Sequence, residues 1–172
     1  MVAADRDSSI VRVGLISDTH GWLDPRVLTA FAREGRIERV VHAGDIGSGP
    51  DVLYELGSVA PVTAVLGNCD FRIPGFDLNS RARLVVSRCL IGVAHDPHHA
   101  EAAFGDDFDV VVHGHTHRPR IEWSDGTLFV NPGSASQRRD ETSCSVGVLE
   151  IDEDGEPTAR IIYLDEIGPN LR

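Results

Sequence analysis

Five short apolar runs in the first two thirds of the chain each stop on Asp, Asn or His. Residues 11–17 (VRVGLIS), 39–43 (RVVHA), 61–66 (PVTAVL), 90–94 (LIGVA) and 108–112 (FDVVV) have the length and β-branched content of buried strands. At their carboxyl ends stand Asp18-Thr19-His20, Gly44-Asp45, Gly67-Asn68-Cys69-Asp70, His95-Asp96 and Gly114-His115-Thr116-His117. Open α/β sheets take their ligands beyond the carboxyl ends of the strands. A fold that aligns these runs therefore delivers five sets of nitrogen and oxygen donors to one rim.

Helix signals fall between the runs. Asp24-Pro25 starts one helix, with Asp as the cap and Pro at the first helical position. Pro50 opens a second that runs to about Leu56, and Pro97 a third that ends near Phe104. The last third reads as strands over 127–131, 145–151 and 158–164, separated by Asp-Gly and Asp-Glu-Asp-Gly-Glu turns. This is a β-α-β-α-β unit followed by a strand meander: an α/β protein whose two sheets pack face to face. With 172 residues and no repeat or linker, a single domain over residues 1–172 is expected. Segment 71–82 (FRIPGFDLNSRA) is rich in turn residues and carries two phenylalanines, so it is a candidate overhang of the site or a homo-oligomer contact.

Charge narrows the partners. The formal net charge is −11, and all 16 basic residues are arginines. A standing nucleic-acid partner needs a basic face and is not expected. A small phosphate-bearing substrate stays compatible where local metal charge outweighs the global field. Cys69, Cys89 and Cys144 form no C-x-x-C, which disfavours a disulfide framework and a thiolate zinc site. The stretch MVAADRDSSI is charged and has no apolar core, so no secretory leader is expected. No run reaches the roughly 18–20 apolar residues of a membrane span, and a cytoplasmic location without membrane contact is expected.

Taken singly, the strand-end residues are ordinary. Asp-x-His is common, and Gly-Asp and Asn are everyday turn residues. Gly-His-x-His says more, because i, i+2 spacing at a strand end aims both rings to one side. The joint occurrence in five consecutive strand ends is what points to a metal site. Four imidazoles (His20, His95, His115, His117), two carboxylates (Asp18, Asp45) and one amide (Asn68) exceed one tetrahedral zinc. They suit two divalent ions sharing a carboxylate. Without a thiolate ligand, Mn²⁺ is favoured, with Ni²⁺, Fe²⁺, Zn²⁺ or Mg²⁺ as alternatives. His113 is read as facing solvent or backing the ligands, and His42 as packing or as backing the ligands.

The ordered set Asp18-x-His20, Gly44-Asp45, Gly67-Asn68, His95 and Gly114-His115-x-His117 resembles the signature of the calcineurin-like metallophosphoesterase superfamily over nearly the whole chain. The short length, Gly67-Asn68-Cys69-Asp70 and Asn131-Pro132-Gly133-Ser134 resemble its small YfcE-type phosphodiesterase branch. The resemblance implies a four-layer α/β/β/α sandwich of two facing mixed sheets. It implies that Asp18, His20 and His117 hold one metal, that Asn68, His95 and His115 hold the second, and that Asp45 bridges them. The fourth motif departs from the family's Gly-His or His-Gly, reading His95-Asp96-Pro97-His98-His99, so His98 or His99 is an alternative to His95. Cys69 stands where many phosphomonoesterases and nucleases of the superfamily carry a histidine that assists the leaving group.

The expected activity is a metal-dependent phosphodiesterase that hydrolyses a small diester by in-line attack of a metal-bridging hydroxide. Asp45, Asn68, His95 and Cys69 are the candidate catalytic residues, with Cys69 near the leaving group. Asn68, Arg118 and Arg139 are candidate substrate contacts, with Arg138 a further arginine near them. Two rival readings are a protein-interaction scaffold like the small retromer subunit, and a phosphomonoesterase. The complete ligand set argues against the first, and Cys69 against the second.

Overall fold

The computed structural model describes residues 10–168. Residues 1–9, most of the stretch tested for a leader, lie outside them, as do residues 169–172. Ten strands form two five-stranded sheets. The first contains β1 (Val11–Ile16), β2 (Arg39–His42), β3 (Val62–Ala64), β9 (Ser145–Ile151) and β10 (Pro157–Tyr163) in the order β10-β9-β1-β2-β3. The second contains β4 (Arg81–Val86), β5 (Cys89–Ala94), β6 (Val110–Val112), β7 (Arg120–Ser124) and β8 (Thr127–Asn131) in the order β4-β5-β6-β8-β7. Both sheets are mixed: β1, β2 and β3 are parallel, and so are β5, β6 and β8.

Alternation along the strands builds the layers. Val13 and Leu15 of β1, Val41 of β2, Ile91 and Val93 of β5, Val110 and Val112 of β6 and Leu149 of β9 meet in one core between the sheets. Their neighbours point outward. Val40, Val146 and Val148 pack with α1 (Pro25–Arg33) and α2 (Asp51–Gly57), while Val111 packs with α3 (Pro97–Phe104). This is the expected α/β/β/α sandwich, with two helices on one outer face and one on the other. Each helical layer lies close to its sheet over a glycine. A Cβ at Gly14 would sit 2.9 Å from the Phe31 ring of α1, and one at Gly92 would sit 2.6 Å from the Phe104 ring of α3. Asp24 caps α1 by accepting the Arg26 N–H at 2.9 Å, and Asp96 caps α3 by accepting those of His98 and His99 at 2.9 and 3.1 Å.

Two strands were not anticipated. β4 begins inside the segment read as an overhang; it is an edge strand whose Arg81 and Arg83 point to solvent while Ala82 and Leu84 pack inward. Its short apolar face is masked by its charges. β7 is the opposite edge, and every one of its residues is exposed, so burial left no mark on its sequence. Its hairpin turn was legible, because Asp125 and Gly126 adopt φ of 50° and 89°, the two left-handed positions that Asp-Gly favours. The C-terminal meander is split: β8 joins the second sheet, while β9 and β10 return to the first.

Candidate metal centre

Beyond their carboxyl ends the strands of the first sheet keep exchanging hydrogen bonds. The Asp18 N–H donates to Gly44 O at 3.0 Å, that of His20 to Asp45 O at 2.9 Å, and that of Gly21 to Ile46 O at 2.6 Å. The β1 loop is thus zipped to the β2 loop residue by residue. The β5 and β6 ends are joined in the same way, by the Gly114 N–H donating to His95 O at 2.9 Å.

These loops are strained where the donors sit. Asp18, His20, Asp45, His115 and His117 all have left-handed backbones, with φ of 55°, 48°, 53°, 69° and 59°. Such a conformation costs a residue with a Cβ roughly 1–2 kcal/mol. Five cases in one rim show that the surrounding hydrogen bonds override local preference to aim these side chains. Glycine is required beside them. A Cβ at Gly67 would lie 2.1 Å from Asp45 Oδ1, and one at Gly114 would lie 1.9 Å from Ser17 Oγ.

The side chains converge in two groups. In the first, His117 Nε2 lies 3.2 Å from Asp18 Oδ1 and 3.3 Å from His20 Nε2. In the second, Asn68 Oδ1 lies 3.1 Å from His95 Nε2 and 2.9 Å from His115 Nδ1. Asp45 stands between them. Its Oδ2 is 3.3 Å from His95 Nε2, and it also belongs to a close donor cluster with His20. All seven ligand residues expected from the sequence are therefore brought together. His95, not His98 or His99, enters the cluster; the latter two are exposed on the first turn of α3.

Neighbouring groups fix which atoms remain available. Ser17 Oγ donates to Asp18 Oδ2 at 2.6 Å, and the His115 N–H to the same oxygen at 3.2 Å, which leaves Oδ1. Asp18 Oδ1 is, among the described residues, the one fully buried side-chain polar atom with no hydrogen-bond partner. His95 Nδ1 donates to Ala43 O at 2.8 Å, which fixes the ring with Nε2 toward Asp45 and Asn68. A carboxylate oxygen buried without a hydrogen-bond partner is costly. Divalent cations resolve it, and the oxygen-and-nitrogen donor set fits them.

The electrostatics agree. Burial pushes the Asp18 carboxyl up, opposed by the Ser17 hydroxyl and by His95 and His117. Burial also acts to raise Asp45, but the adjoining His95 ring and the hydrogen bond from the Cys69 N–H outweigh it and hold that carboxyl well below its usual range. For Cys69 the hydrogen bond to Asp45, then burial, push the exposed thiol up, so it keeps its proton near neutrality.

His42, read as packing or as backing the ligands, ties the loops together. It is fully buried, its Nδ1 accepts the Gly44 N–H at 3.2 Å, and its Nε2–H donates to Thr19 Oγ1 at 2.9 Å. Burial, then the neighbouring His95, lowers its pKa to about 3. A base depressed in the native state contributes full stability above its unfolded pKa and loses it as pH falls, because only the unfolded chain takes up the proton. Metal-free protein should lose about 2 kcal/mol from this group between about pH 6.5 and pH 5. Urea unfolding across that range should show a shallower pH slope for His42→Gln than for the parent. Equal slopes would remove His42 from the account.

Several functional contacts had no clear signal in the sequence. The Asp70 carboxylate accepts three backbone N–H groups, from Ile46 at 3.0 Å, Gly47 at 2.9 Å and Gly67 at 2.8 Å, and so joins the Asp45 and Asn68 loops. Asn131 Nδ2 donates to Gly114 O at 2.9 Å and Thr116 Oγ1 at 3.0 Å, while Ser134 Oγ donates to Asp18 O at 2.9 Å. The Asn131–Ser134 loop thus clamps both halves of the rim. Arg81 lines a cleft of about 390 Å³ beside Asn68, His95 and His115. Of the arginines expected at substrate, Arg118 is paired with Asp140 at 2.6 Å and Arg138 with Asp165 at 2.7 Å. Arg139 is exposed, and its charge reaches His117.

The calcineurin-like phosphoesterase superfamily domain, compared as a sequence profile, matches residues 11–154. The chain belongs to this superfamily. A probable metallophosphoesterase of Methanothermobacter thermautotrophicus is 34% identical over 156 residues, covering 81% of this chain and 86% of that protein. Phosphodiesterase YfcE of Escherichia coli is 30% identical over 166 residues, covering 83% and 89%. The structure of vacuolar protein sorting 29 from Cryptosporidium parvum superposes with a TM-score of 0.73 at 22% identity, covering 89% of this chain and 97% of that one, and shares the calcineurin-like fold.

Proposed function

We propose that this chain, as one domain, is a metal-dependent phosphodiesterase acting on a small phosphodiester in the cytoplasm. The observation that carries the reading is the convergence of seven donors from five strand-end loops into two groups that share Asp45. Asp18, His20 and His117 would hold one divalent ion, Asn68, His95 and His115 the other, and Asp45 both, with Mn²⁺ the favoured metal. When bound, such ions supply Lewis-acid charge at the phosphoryl group and water of lowered pKa.

The chain's own residues set the geometry. The left-handed backbones and the Asp70 and Asn131 clamps fix the donors before substrate arrives, which is the preorganisation that phosphoryl transfer depends on. Asn68 is neutral and leaves its metal more electron-poor than a carboxylate would. His115, with 43% of its side chain exposed, opens the second group toward the cleft where Arg81 sits, and this is the side from which substrate enters. Arg81, Arg118 and Arg139 are the guanidinium groups that would meet phosphate oxygens. Arg118 pairs with Asp140 at the surface, an exposed pair with which a phosphate would compete. Cys69 lies beside Asn68, with its Sγ 3.4 Å from the Asn68 amide nitrogen. As a protonated thiol it is a weak acid for a leaving alkoxide, which favours diesters with good leaving groups.

The test is hydrolysis of bis-p-nitrophenyl phosphate and p-nitrophenyl phosphate by metal-stripped protein, before and after Mn²⁺ is added. Diester cleavage that appears with Mn²⁺, with the monoester slow, is the expected result. A fast monoester reaction would make the protein a phosphomonoesterase. No turnover of either, despite bound metal, would favour a protein-interaction scaffold on this fold.

A further inference from the structure

The rim holds a third donor group that the two-ion reading does not use. His20, Asp45 and Cys69 each present a ligand atom, and the three atoms lie within 4.8 Å of one another. Two hydrogen bonds hold the trio together: the His20 N–H donates to Asp45 O at 2.9 Å, and the Cys69 N–H to Asp45 Oδ1 at 2.8 Å. Donors around a tetrahedral zinc stand roughly 3.3–3.6 Å apart, so closing the trio on one ion asks for shifts of about 1 Å. An exposed side chain such as Cys69 can make them.

Cys69 does not stand alone in this basin. Asp18 Oδ1, fully buried and without a hydrogen-bond partner, faces it, 3.2 Å from His117 Nε2 and 4.0 Å from His95 Nε2. His20 Nε2 lies 3.3 Å from the same His117 nitrogen. An unpartnered carboxylate oxygen beside convergent donors is the surrounding that a cation satisfies. The Asn68 amide also engages the sulfur: its Nδ2 donates to Cys69 Sγ at 3.4 Å, while its Oδ1 faces His95 and His115. Such an outer hydrogen bond orients a sulfur as a metal ligand.

Sulfur changes which ions the trio suits. Thiolate favours soft and borderline ions, whereas Mn²⁺ keeps to oxygen and nitrogen donors. We propose that Cys69, His20 and Asp45 form an alternative cation site for thiophilic ions such as Zn²⁺ and Cd²⁺, exclusive of the two-ion arrangement. As the metal–sulfur bond forms, the thiol proton passes to water. The exclusion follows from shared donors: an ion held by the trio takes His20 from the first group and Asp45 from both. Thiophilic ions then block the centre that Mn²⁺, which leaves the thiol intact, fills. That inhibitory consequence rests on the hydrolytic reading; the site itself does not.

Titration of metal-stripped protein with Cd²⁺, followed by ultraviolet absorbance, tests it. The parent should develop a sulfur-to-cadmium charge-transfer band. Cys69→Ser should lose the band, and its Cd²⁺ affinity should fall about ten-fold or more, while its Mn²⁺ affinity, read by electron paramagnetic resonance, stays that of the parent. Cys89 and Cys144 are buried and remain in that variant, so a band of their own would persist. His117→Ala removes a donor of the two-ion set alone; it should weaken Mn²⁺ binding and keep the band. No band in the parent, a band that survives Cys69→Ser, a band lost in His117→Ala, or equal losses of Cd²⁺ and Mn²⁺ affinity in Cys69→Ser would each overturn the proposal. Failure of Mn²⁺-dependent diester cleavage with the Cys69 band intact would uphold the site and remove only the hydrolytic reading.

Discussion

Asp45→Asn is expected to reduce metal-dependent diester hydrolysis at least about 10³-fold, some 4 kcal/mol of transition-state stabilisation. Asn keeps the shape and one acceptor oxygen, so the Cys69 N–H, now 2.8 Å from Asp45 Oδ1, retains a partner. What disappears is the negative charge that the two donor groups share. Metal content measured on dialysed protein should fall from two ions per chain to one or none, while circular dichroism stays that of the parent. Full occupancy with full activity would refute the bridging role. A full metal complement with lost activity would instead leave Asp45 acting on substrate.

Asp70→Ala should give the largest effect of any residue that does not itself face the metal donors. It leaves three backbone N–H groups, those of Ile46, Gly47 and Gly67, without their acceptor. Each unsatisfied donor costs about 1–3 kcal/mol where water does not replace the carboxylate. Both the Asp45 and the Asn68 loops depend on it, so hydrolysis should fall about 10²-fold or more together with a clear drop in thermal midpoint. Asp70→Asn separates the causes. One amide oxygen can keep the Ile46 and Gly67 bonds that Oδ2 now accepts, so this variant should recover most of the stability and part of the activity. Identical behaviour of the two variants would show that charge, not loop anchoring, is what Asp70 supplies.

Both residues lie in motifs that the sequence displays, but only one announced its work. Asp45 stands in the Gly44-Asp45 pair just beyond a buried strand and completes a donor set, which is a chemical pattern. Asp70 closes the Gly67–Asp70 turn, and a turn aspartate has no visible partner until the β2 loop is folded against it. The same contrast holds for His95 against His98 and His99. All three are histidines within five residues, but only the residue directly after β5 points into the rim, because α3 starts at Pro97 and carries the other two to its exposed first turn. Arg118 and Arg139 show the limit from the other side, since no spacing rule could say that Asp140 would engage one and not the other.

By itself the sequence displayed two facing sheets, the rim and its donor residues, with His98 and His99 still open against His95. Strand cores with apolar residues on both faces must be covered on both sides, and they exclude polar residues to their ends, so the donors fall where the strands stop. Tertiary structure alone decided the edges and the aim. β4 and β7 are edge strands with little buried surface, so hydrophobic pattern could not mark them. The left-handed backbones of Asp18, His20, Asp45, His115 and His117 run against local preference and are held by hydrogen bonds from distant loops. A conformation that local energetics disfavour cannot be read from local sequence; it exists because long-range contacts outweigh its cost.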